Sequence, residues 1–264
     1  MKIEKAAPQV NREVDILADL ILPDNEVHVW RAGLDLPPPR LKQFHEVLSK
    51  DEREKAACFQ LESDQNHCIA ARGFLRSILA KYLGIEAATI RFSYNKFGKP
   101  ELAVQVKNVP LQFNLAHSQG LALFAFSRGR KLGVDLEWIH PDFATDEIAA
   151  RFFASTEAAV LRSLSKEEQP RAFFNCWTRK EAFIKARGQG LSLPLDQFAV
   201  TVASGEKPAL LSAQDDPQAA SRWTLRDLEV EGYAAALVVE GRGWELKCFE
   251  CVALGERVSR PVKT

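Results

Sequence analysis

The sequence predicts an α+β fold made of two halves that share the same order of elements. Short runs of alternating apolar and polar residues predict strands, and longer stretches with helical periodicity predict helices. In each half, one strand is followed by helices and then by several further strands. At 264 residues, the chain is long enough to bury a sizeable core in one large or two small domains. The halves show no sequence repeat that would by itself establish a duplication.

The first half follows an N-terminal extension, residues 1–26, which is polar with scattered aliphatic residues. Ser49 is a predicted helix N-cap with Glu52 as its capping-box partner, and Gly84 is a predicted helix end. The segment Pro37–Pro39 predicts a stiff connector that permits no helix. The predicted helices cover residues 14–22, 50–61 and 64–83, and the predicted strands cover residues 27–30, 89–92, 111–115 and 121–127.

The second half opens with a strand that carries two acids and continues into amphipathic helices. Phe173, Phe174 and Trp177 recur at helical spacing, and Gly188 supplies a helix stop. The predicted helices cover residues 146–153, 155–164 and 169–187, and the predicted strands cover residues 131–139, 198–202, 223–228, 234–239 and 244–252.

Composition excludes several classes of protein. With 35 basic and 35 acidic residues the formal net charge is zero, so we expect association with neither nucleic acid nor a membrane. No apolar run reaches the length of a membrane span, and the first residues do not resemble a signal sequence, so we expect a cytoplasmic protein. Five cysteines, an odd number, argue against a disulfide framework. Cys248 and Cys251 face opposite sides of a predicted strand, so we expect no metal or redox role there.

The strand near residue 133 carries paired acids on one face. Val134 and Leu136 form one face of this strand, so Asp135 and Glu137 point together to the other. Two adjacent carboxylates repel, and solvent, a neighbouring base, a shared proton or a divalent cation can relieve the repulsion. Taken alone, the pattern is also that of a strand with one solvated face.

The helix predicted over residues 169–187 carries an acid and a base one turn apart. Glu181 and Lys185 are spaced for an i,i+4 pair, which on a surface would be a weak salt bridge. Trp177 lies on the same stripe, four residues before Glu181. Because tryptophan is seldom left in water, this stripe is predicted to be at least partly covered.

These two segments together resemble the paired signature of the 4′-phosphopantetheinyl transferases. The resemblance, to the longer, monomeric type that activates peptide and polyketide synthetases, rests on Gly133–Glu137 (GVDLE) and Trp177–Lys185 (WTRKEAFIK). Further motifs in the family's order extend it over about residues 48–202: Phe97–Pro100, Phe113–Ser118 and Gly188–Leu195.

The resemblance implies a particular architecture. Two similar α/β halves, with helices packed on small, mainly antiparallel sheets, would form an intramolecular pseudo-dimer with the site in the cleft between them. The first half would cover residues 27–132 and the second, with the acids, residues 133–252, followed by a tail at residues 253–264. One chain would then suffice for function, so we expect a monomer.

The resemblance also implies an activity, the transfer of the 4′-phosphopantetheine arm of coenzyme A to a serine of an apo acyl or peptidyl carrier protein. Adenosine 3′,5′-bisphosphate would be released. Asp135, Glu137 and Glu181 would hold Mg²⁺, or Mn²⁺, because carboxylate oxygens suit these hard ions. Glu181 is also a predicted catalytic residue, as metal ligand, as the base for the carrier serine, or as a base acting through water. Lys185 is predicted to contact the pyrophosphate and stabilise the leaving phosphate.

Coenzyme A would be held by residues from several elements. Lysines neutralise phosphates and a histidine can donate to a phosphate oxygen, although an isolated lysine is more often a solvated charge. Arg72 and Arg76, about one helical turn apart, form a further candidate basic patch. The contacts that the resemblance implies are Lys55, Gly98, Lys99, Pro100, Asn114, His117, Ser118 and Lys185.

Two positions depart from the family pattern. Ala116 stands where the family usually has a serine, and His67 stands where an arginine is expected. Elsewhere, Trp177 is predicted to pack the helix rather than contact substrate. Phe152 and Phe153 are either core residues or part of an apolar surface for a carrier-protein helix.

Two other functions would use the same acids. A metal-dependent phosphodiesterase would hydrolyse coenzyme A or nucleotides, with water in place of the carrier serine. A catalytically silent relative would bind coenzyme A or carrier proteins, and loss of one of the three carboxylates would favour it. All three are present.

Overall fold

A computed structural model of the chain describes residues 20–104, 110–141 and 145–251. Its helices are Pro38–Val47 (α1), Lys50–Ala57 (α2), Glu62–Leu83 (α3), Thr145–Phe152 (α4), Ser155–Ser163 (α5), Gln169–Arg187 (α6) and Ala219–Arg222 (α7). Its strands are Glu26–Gly33 (β1), Phe92–Tyr94 (β2), Pro100–Leu102 (β3), Leu111–Ser118 (β4), Leu121–Arg128 (β5), Leu132–Trp138 (β6), Phe198–Val200 (β7), Leu210–Ala213 (β8), Trp223–Asp227 (β9), Tyr233–Glu240 (β10) and Glu245–Glu250 (β11).

The same topology occurs twice along the chain. In one sheet β1, β5 and β4 are antiparallel neighbours, and in the other sheet β6, β10 and β9 repeat that order. In each half the first strand is followed by helices, α1–α3 or α4–α6, and then by a two-stranded hairpin, β2–β3 or β7–β8. The predicted α+β plan of two similar halves is therefore confirmed, although the sequences of the halves do not visibly repeat.

The last strand departs from this symmetry. β11 pairs in parallel with β1, so that the first sheet has the order β11-β1-β5-β4. The sequence analysis assigned residues 244–252 to the second half, but this strand lies in the sheet of the first half. Its apolar side chains Leu246 and Cys248 pack against the layer between the two sheets. Burial of that face, together with the backbone pairing to β1, accounts for the crossover.

The two sheets face each other across a shared apolar layer. Val29 and Leu123 from the first sheet and Val134, Leu136 and Leu237 from the second are buried in it. Burying one such side chain contributes about 1.5–3 kcal/mol. The layer therefore fixes the halves against each other, and it brings β4 of one sheet beside β6 of the other.

Each half also contains a buried ion pair between its second and third helices. Glu52 of α2 accepts from Arg76 of α3 at 2.6 Å, and Glu157 of α5 accepts from Lys180 of α6 at 2.8 Å. All four side chains are buried. Each carboxylate also accepts from the backbone N–H three residues before it, which starts its helix. Arg76 is thus a structural residue, and its predicted place in an anion-binding patch is wrong.

Several predicted elements differ in detail. Helix α6 has the predicted bounds, but α1 begins at Pro38, where the sequence analysis excluded a helix. Proline is tolerated there because N–H groups of the first turn have no partner within the helix. The strand predicted over residues 89–92 is a 3₁₀ turn, Ala87–Thr89, followed by β2. Of the helix predicted over residues 14–22, residues 14–19 lie outside the described residues, and the remainder is not helical.

Two expectations from composition can be compared with the structure. All five cysteines are free thiols, which agrees with the expectation that the chain has no disulfide framework. Within the described ranges, no helix has the length and apolar character needed to cross a membrane.

A buried polar network fixes β1 against α3. The Tyr82 hydroxyl accepts from Trp30 Nε1 at 2.9 Å and lies 2.8 Å from His28 Nδ1, and all three residues are buried. Burial lowers the pKa of His28, although its hydrogen bond to Glu26 opposes this. The neutral ring is therefore favoured, with Nδ1 accepting from Tyr82 and Nε2 donating to Glu26 at 2.8 Å.

We expect Tyr82→Phe to lower the free energy of unfolding by about 1–3 kcal/mol, because Trp30 Nε1 and His28 Nδ1 would be left buried without partners. Denaturant unfolding measures this change. Tyr94→Phe, at an exposed tyrosine, is the control and should cost much less. Equal losses in the two variants would show that the network adds no stability.

Candidate active site

Strand β6 presents its acids to helix α6. Val134 and Leu136 face the apolar layer between the sheets, so Asp135 and Glu137 face the helix, as the alternation predicted. Asp135 is 4% exposed. The interpretation of this face as solvated is therefore wrong for Asp135, and the acids belong to a covered seam between strand and helix.

Gly133 sets the distance between β6 and α6. A Cβ atom built at this position would lie 2.1 Å from the Ala182 carbonyl oxygen and 2.4 Å from the Ala186 nitrogen. Both distances are far below van der Waals contact, so only glycine allows the two backbones to approach this closely. Gly133 belongs to a motif in the sequence, but nothing in the sequence pattern indicates this role. The contact places Glu181 and Lys185 of α6 next to the acids of β6.

Lys185 forms an ion pair with Asp135, the most buried of the three predicted metal ligands. Lys185 Nζ donates to Asp135 Oδ1 at 2.6 Å and lies 3.4 Å from the Val134 carbonyl oxygen. The other carboxylate oxygen, Asp135 Oδ2, is buried and has no hydrogen-bond partner in the part of the chain that the structure describes. A buried carboxylate oxygen without a partner is costly, so Asp135 Oδ2 is suited to bind a hydrogen-bond donor or a cation.

Glu137 and Glu181 both carry carboxyl groups that resist ionisation. Burial, and then the charge of Asp135, raises the pKa of Glu137, although a hydrogen bond from Ser118 Oγ at 3.1 Å and the charge of Lys185 oppose this. Burial raises the pKa of Glu181 as well, and the charges of Asp135 and Glu137 add to that effect. The three carboxyl groups therefore interact, and one ammonium group does not balance their charge.

The chemistry of this donor set fits Mg²⁺, but the ligands are not assembled. Across residues 20–104, 110–141 and 145–251, no group of three histidine, cysteine or acidic side chains is arranged to hold a metal ion. The predicted meeting of Asp135, Glu137 and Glu181 around one ion is therefore not seen in this structure. Asp135 Oδ2 and the carboxyl groups of Glu137 and Glu181, whose pKa values are raised, nevertheless provide the oxygen ligands that a hard divalent cation requires.

A group of basic side chains lies across the seam from the acids. Partial burial lowers the pKa of His117, at the end of β4. Four nearby basic side chains lower it further: Lys185, Arg72, His67 and Lys55. Arg72 Nη1 is buried and has no hydrogen-bond partner among the described residues. Positive charge from three helices thus converges on His117, which is typical of a site for a multiply charged anion.

The two departures from the family pattern lie on different sides of β4 and α3 in the structure. Ala116 is buried in the layer between the sheets, so a side chain at this position points away from the basic group. The missing hydroxyl therefore removes no contact on that side. His67 Nε2 lies 2.8 Å from Asp35 Oδ1, on the exposed edge of the basic group.

The other predicted contacts of coenzyme A hold the seam together. Asn114 Oδ1 accepts from the backbone N–H of Val134 at 2.8 Å, which joins β4 to β6. Ser118 Oγ donates to Glu137 and accepts from the backbone N–H of Trp138. Gly98 has a φ of +84°, and Pro100 pairs with Tyr94 in the β2–β3 hairpin. Of the remaining predicted contacts, Lys55 is exposed, and Lys99 bonds backbone carbonyl groups, as described below.

The aromatic residues near the acids separate into core and surface. Phe153 is buried, Phe152 is 37% exposed, and Trp177 packs against the core of the second half, as predicted. A cavity of about 260 Å³ opens beside Glu137 and Ser118. Its apolar wall includes Trp138, Ile148, Phe173, Phe174 and Trp177.

Comparisons with known proteins place this chain in a family. A model described as the 4′-phosphopantetheinyl transferase superfamily matches residues 131–238, and one described as 4′-phosphopantetheinyl transferase, N-terminal, matches residues 37–128. The 4′-phosphopantetheinyl transferase HetI of Nostoc sp. is 39% identical over 230 residues, which cover 87% of this chain and 94% of that protein. The chain belongs to the 4′-phosphopantetheinyl transferase superfamily. The resemblance found in the sequence is thereby confirmed.

Other matches to this transferase are less extensive. The 4′-phosphopantetheinyl transferase Sfp of Bacillus subtilis is 35% identical over 160 residues, which cover 60% of this chain and 68% of that protein. A solved holo-(acyl-carrier-protein) synthase from Bacillus anthracis, in complex with CoA, is 22% identical, with a TM-score of 0.33. That match covers 42% of this chain and 96% of the other.

We expect Gly133→Ala to lower the turnover of the transferase by about 100-fold, because α6 must move away from β6 to admit the methyl group. The strain should also cost about 1–3 kcal/mol of stability. Turnover and thermal unfolding measure the two effects. Gly33→Ala is the control, because a Cβ at Gly33 meets nothing within 4 Å. Unchanged turnover in Gly133→Ala would show that the close contact does not position the acids.

Proposed function

We propose that this chain transfers the 4′-phosphopantetheine arm of coenzyme A to a serine of apo acyl or peptidyl carrier proteins. The observation that carries the proposal is the pairing, in one seam, of three interacting carboxyl groups with a group of basic side chains around His117. Coenzyme A has a diphosphate and a 3′-phosphate, so it requires positive charge at the phosphates and acids nearby for the reaction. Membership of the superfamily supports the same activity.

The residues of the seam have separate tasks in this reaction. Lys185 and His117 would contact phosphate oxygens, which lowers the cost of bringing a multiply charged substrate next to carboxylates. Glu181, with its raised pKa, is suited to take the proton of the carrier serine. Three roles were predicted for Glu181: metal ligand, base, or base acting through water. Each role requires its carboxylate near the reacting hydroxyl or the diphosphate. The product adenosine 3′,5′-bisphosphate would leave past the same basic group.

Asp135 Oδ2, Glu137 and Glu181 are the residues that would hold Mg²⁺ or Mn²⁺. When bound, the ion would neutralise charge on the diphosphate and act as a Lewis acid at its oxygens. The raised pKa values of Glu137 and Glu181 support this assignment, because a divalent cation relieves the repulsion among the carboxylates. Lys185 would then be free to turn from Asp135 to the substrate phosphate.

The carrier protein would bind at the apolar cavity beside Glu137. Its wall of tryptophan, phenylalanine and isoleucine side chains suits an apolar side chain next to the acceptor serine. The acids of β6 and α6 and the basic side chains around His117 belong to one chain, which supports function as a monomer. A cytoplasmic location agrees with the substrates, since carrier proteins and coenzyme A are used in biosynthesis inside the cell.

The proposed function predicts a mass increase of one phosphopantetheine arm on a carrier protein. The protein, Mg²⁺ and coenzyme A are mixed with apo carriers of fatty-acid, polyketide and peptide synthesis, and intact-mass spectrometry follows each carrier. A carrier with alanine in place of the acceptor serine, and a reaction with a chelator, are the controls; neither should gain mass.

Two outcomes would contradict the proposal in different ways. Cleavage of coenzyme A in the absence of any carrier would indicate a phosphodiesterase. Binding of coenzyme A or carrier without any product would indicate a silent relative.

We expect Glu181→Gln to lower transfer by about 10²- to 10⁴-fold, as is usual when a general base is removed. Without divalent cations, the same variant should unfold at an equal or higher temperature than the wild type at pH 7.5. Glu181 has a raised pKa in the folded state, so its contribution to stability is present at low pH and is lost as pH rises through that pKa. The difference between variant and wild type should therefore vanish as the pH falls toward the ordinary glutamate pKa of 4.5.

Thermal unfolding across this pH range, with turnover at pH 7.5, checks both expectations. Glu54→Gln is the matched control, because Glu54 is an exposed glutamate one turn from Lys50. It should change neither quantity. A Glu181→Gln variant that keeps full activity, or that is less stable than the wild type at every pH, would exclude the assigned role.

A further inference from the structure

The β2–β3 hairpin of the first half ends in a tight turn over residues 95–99. The Asn95 side-chain oxygen accepts from the backbone N–H groups of Phe97 at 2.9 Å and Lys99 at 3.0 Å. Gly98 supplies the left-handed conformation that the turn requires, and its N–H donates to the Asn95 carbonyl oxygen at 2.9 Å. The turn is thus rigid enough to place the side chains that leave it.

This turn makes three hydrogen bonds to β6 and to the end of α6. Lys99 Nζ donates to the carbonyl oxygen of Lys185 at 2.7 Å and to that of Leu132 at 3.0 Å. Asn95 Nδ2 donates to the carbonyl oxygen of Gly188 at 2.9 Å. Gly188 also leaves room for the turn, since a Cβ at this position would lie only 3.2 Å from Asn95 Nδ2. Its backbone has a left-handed conformation, which favours glycine.

The acceptors of these bonds lie at both sides of the catalytic seam. The Lys185 carbonyl group lies in the last turn of α6, where it also accepts from the Gly188 N–H at 3.2 Å, and Gly188 caps the helix. Carbonyl oxygens at a helix C-terminus have few partners within the helix, and the helix dipole is negative there. The Leu132 carbonyl group belongs to the first residue of β6. A single ammonium group therefore joins the strand that carries Asp135 to the helix that carries Lys185, next to the close contact at Gly133.

We propose that Lys99 is a positioning residue, which holds the end of α6 against the start of β6 and so fixes Lys185 and Glu181 over Asp135. The inference rests on the proposed function for its catalytic consequence. It assigns Lys99 a task different from the phosphate contact implied by the family resemblance. Two of the three N–H groups of its ammonium are already bonded to carbonyl oxygens, so the charge is directed into the protein.

The electrostatics of Lys99 agree with this geometry. Burial lowers its pKa to about 8, with smaller contributions from the charges of Lys131 and Lys185 that Glu101 opposes. A buried ammonium is stabilised only by the groups that it bonds, here the two carbonyl oxygens.

The test compares Lys99→Met with Lys96→Met. Lys96 lies on the same turn and is exposed, with its ammonium over the Phe97 ring, so its replacement removes the same charge without the two bonds. For Lys99→Met we expect kcat to fall by about 10- to 100-fold, while the Kd for coenzyme A, measured by calorimetry, changes by less than about threefold. Lys96→Met should resemble the wild type in both quantities.

A second variant and a readout independent of activity keep the result decisive. Asn95→Ala removes the bond to Gly188 and the two side-chain bonds within the turn without removing a charge, and it should lower kcat in the same way with a similar Kd. Amide hydrogen exchange should become faster at Ala186–Gly188 in Lys99→Met and Asn95→Ala, and it should not change in Lys96→Met. This exchange pattern is expected even if no carrier protein is modified, so failure of the proposed function would be recognised separately.

Two results would overturn the inference. In one, Lys99→Met weakens coenzyme A binding tenfold or more and leaves kcat and the exchange rates intact, which would assign Lys99 to the phosphates. In the other, Lys99→Met and Lys96→Met have the same kcat, Kd and exchange rates, which would mean that the two bonds position nothing.

Discussion

The close contact between the backbones of β6 and α6 is the constraint on which the candidate site depends. It exists because residue 133 is glycine: any side chain there would overlap Ala182 and Ala186 of the helix. With the two backbones this close, Lys185 reaches Asp135 and the charge of Glu181 acts on both acids of the strand. Without it, the same acids and the same lysine would lie on two separate elements and would form no common site.

The fold supports this contact from several sides. The apolar layer between the sheets holds β6 beside β4, and Asn114 adds a side-chain bond to the Val134 backbone. Below the helix, the buried pair of Lys180 and Glu157 ties α6 to α5, and Lys180 also donates to the Phe198 carbonyl oxygen at 2.6 Å. Removing one partner of such a pair would leave a buried charge uncompensated, which is strongly destabilising. The helix that carries the reactive groups is therefore among the most constrained parts of the described structure.

The two halves use one architecture for different purposes. In the first half, the counterpart of the Lys180 pair is Arg76 with Glu52, again between the second and third helices. The strand equivalent to β6 is β1, which carries the buried Trp30 and a neutral His28 in place of a pair of acids. The two halves thus share their topology and a buried ion pair, whereas the paired acids lie on β6 of the second half. The first half contributes the basic groups of α2 and α3 and the turn that holds the end of α6.

The sequence by itself determined the class of fold, the bounds of α6, the face of β6 on which the acids lie, and the family. These follow from local patterns: alternation in a strand, periodicity in a helix, and motifs whose residues are close along the chain. Only the tertiary structure decided how the strands of each half pair, that β11 crosses into the first sheet, that Arg76 is a buried structural residue, and that Lys99 bonds β6 to α6. Each of these depends on contacts between residues far apart in the chain, such as Lys99 with Lys185 or Arg76 with Glu52. Such contacts leave no periodic signal in the sequence. A lysine that bonds backbone carbonyl groups cannot be distinguished, from its residue type alone, from a lysine that binds a phosphate.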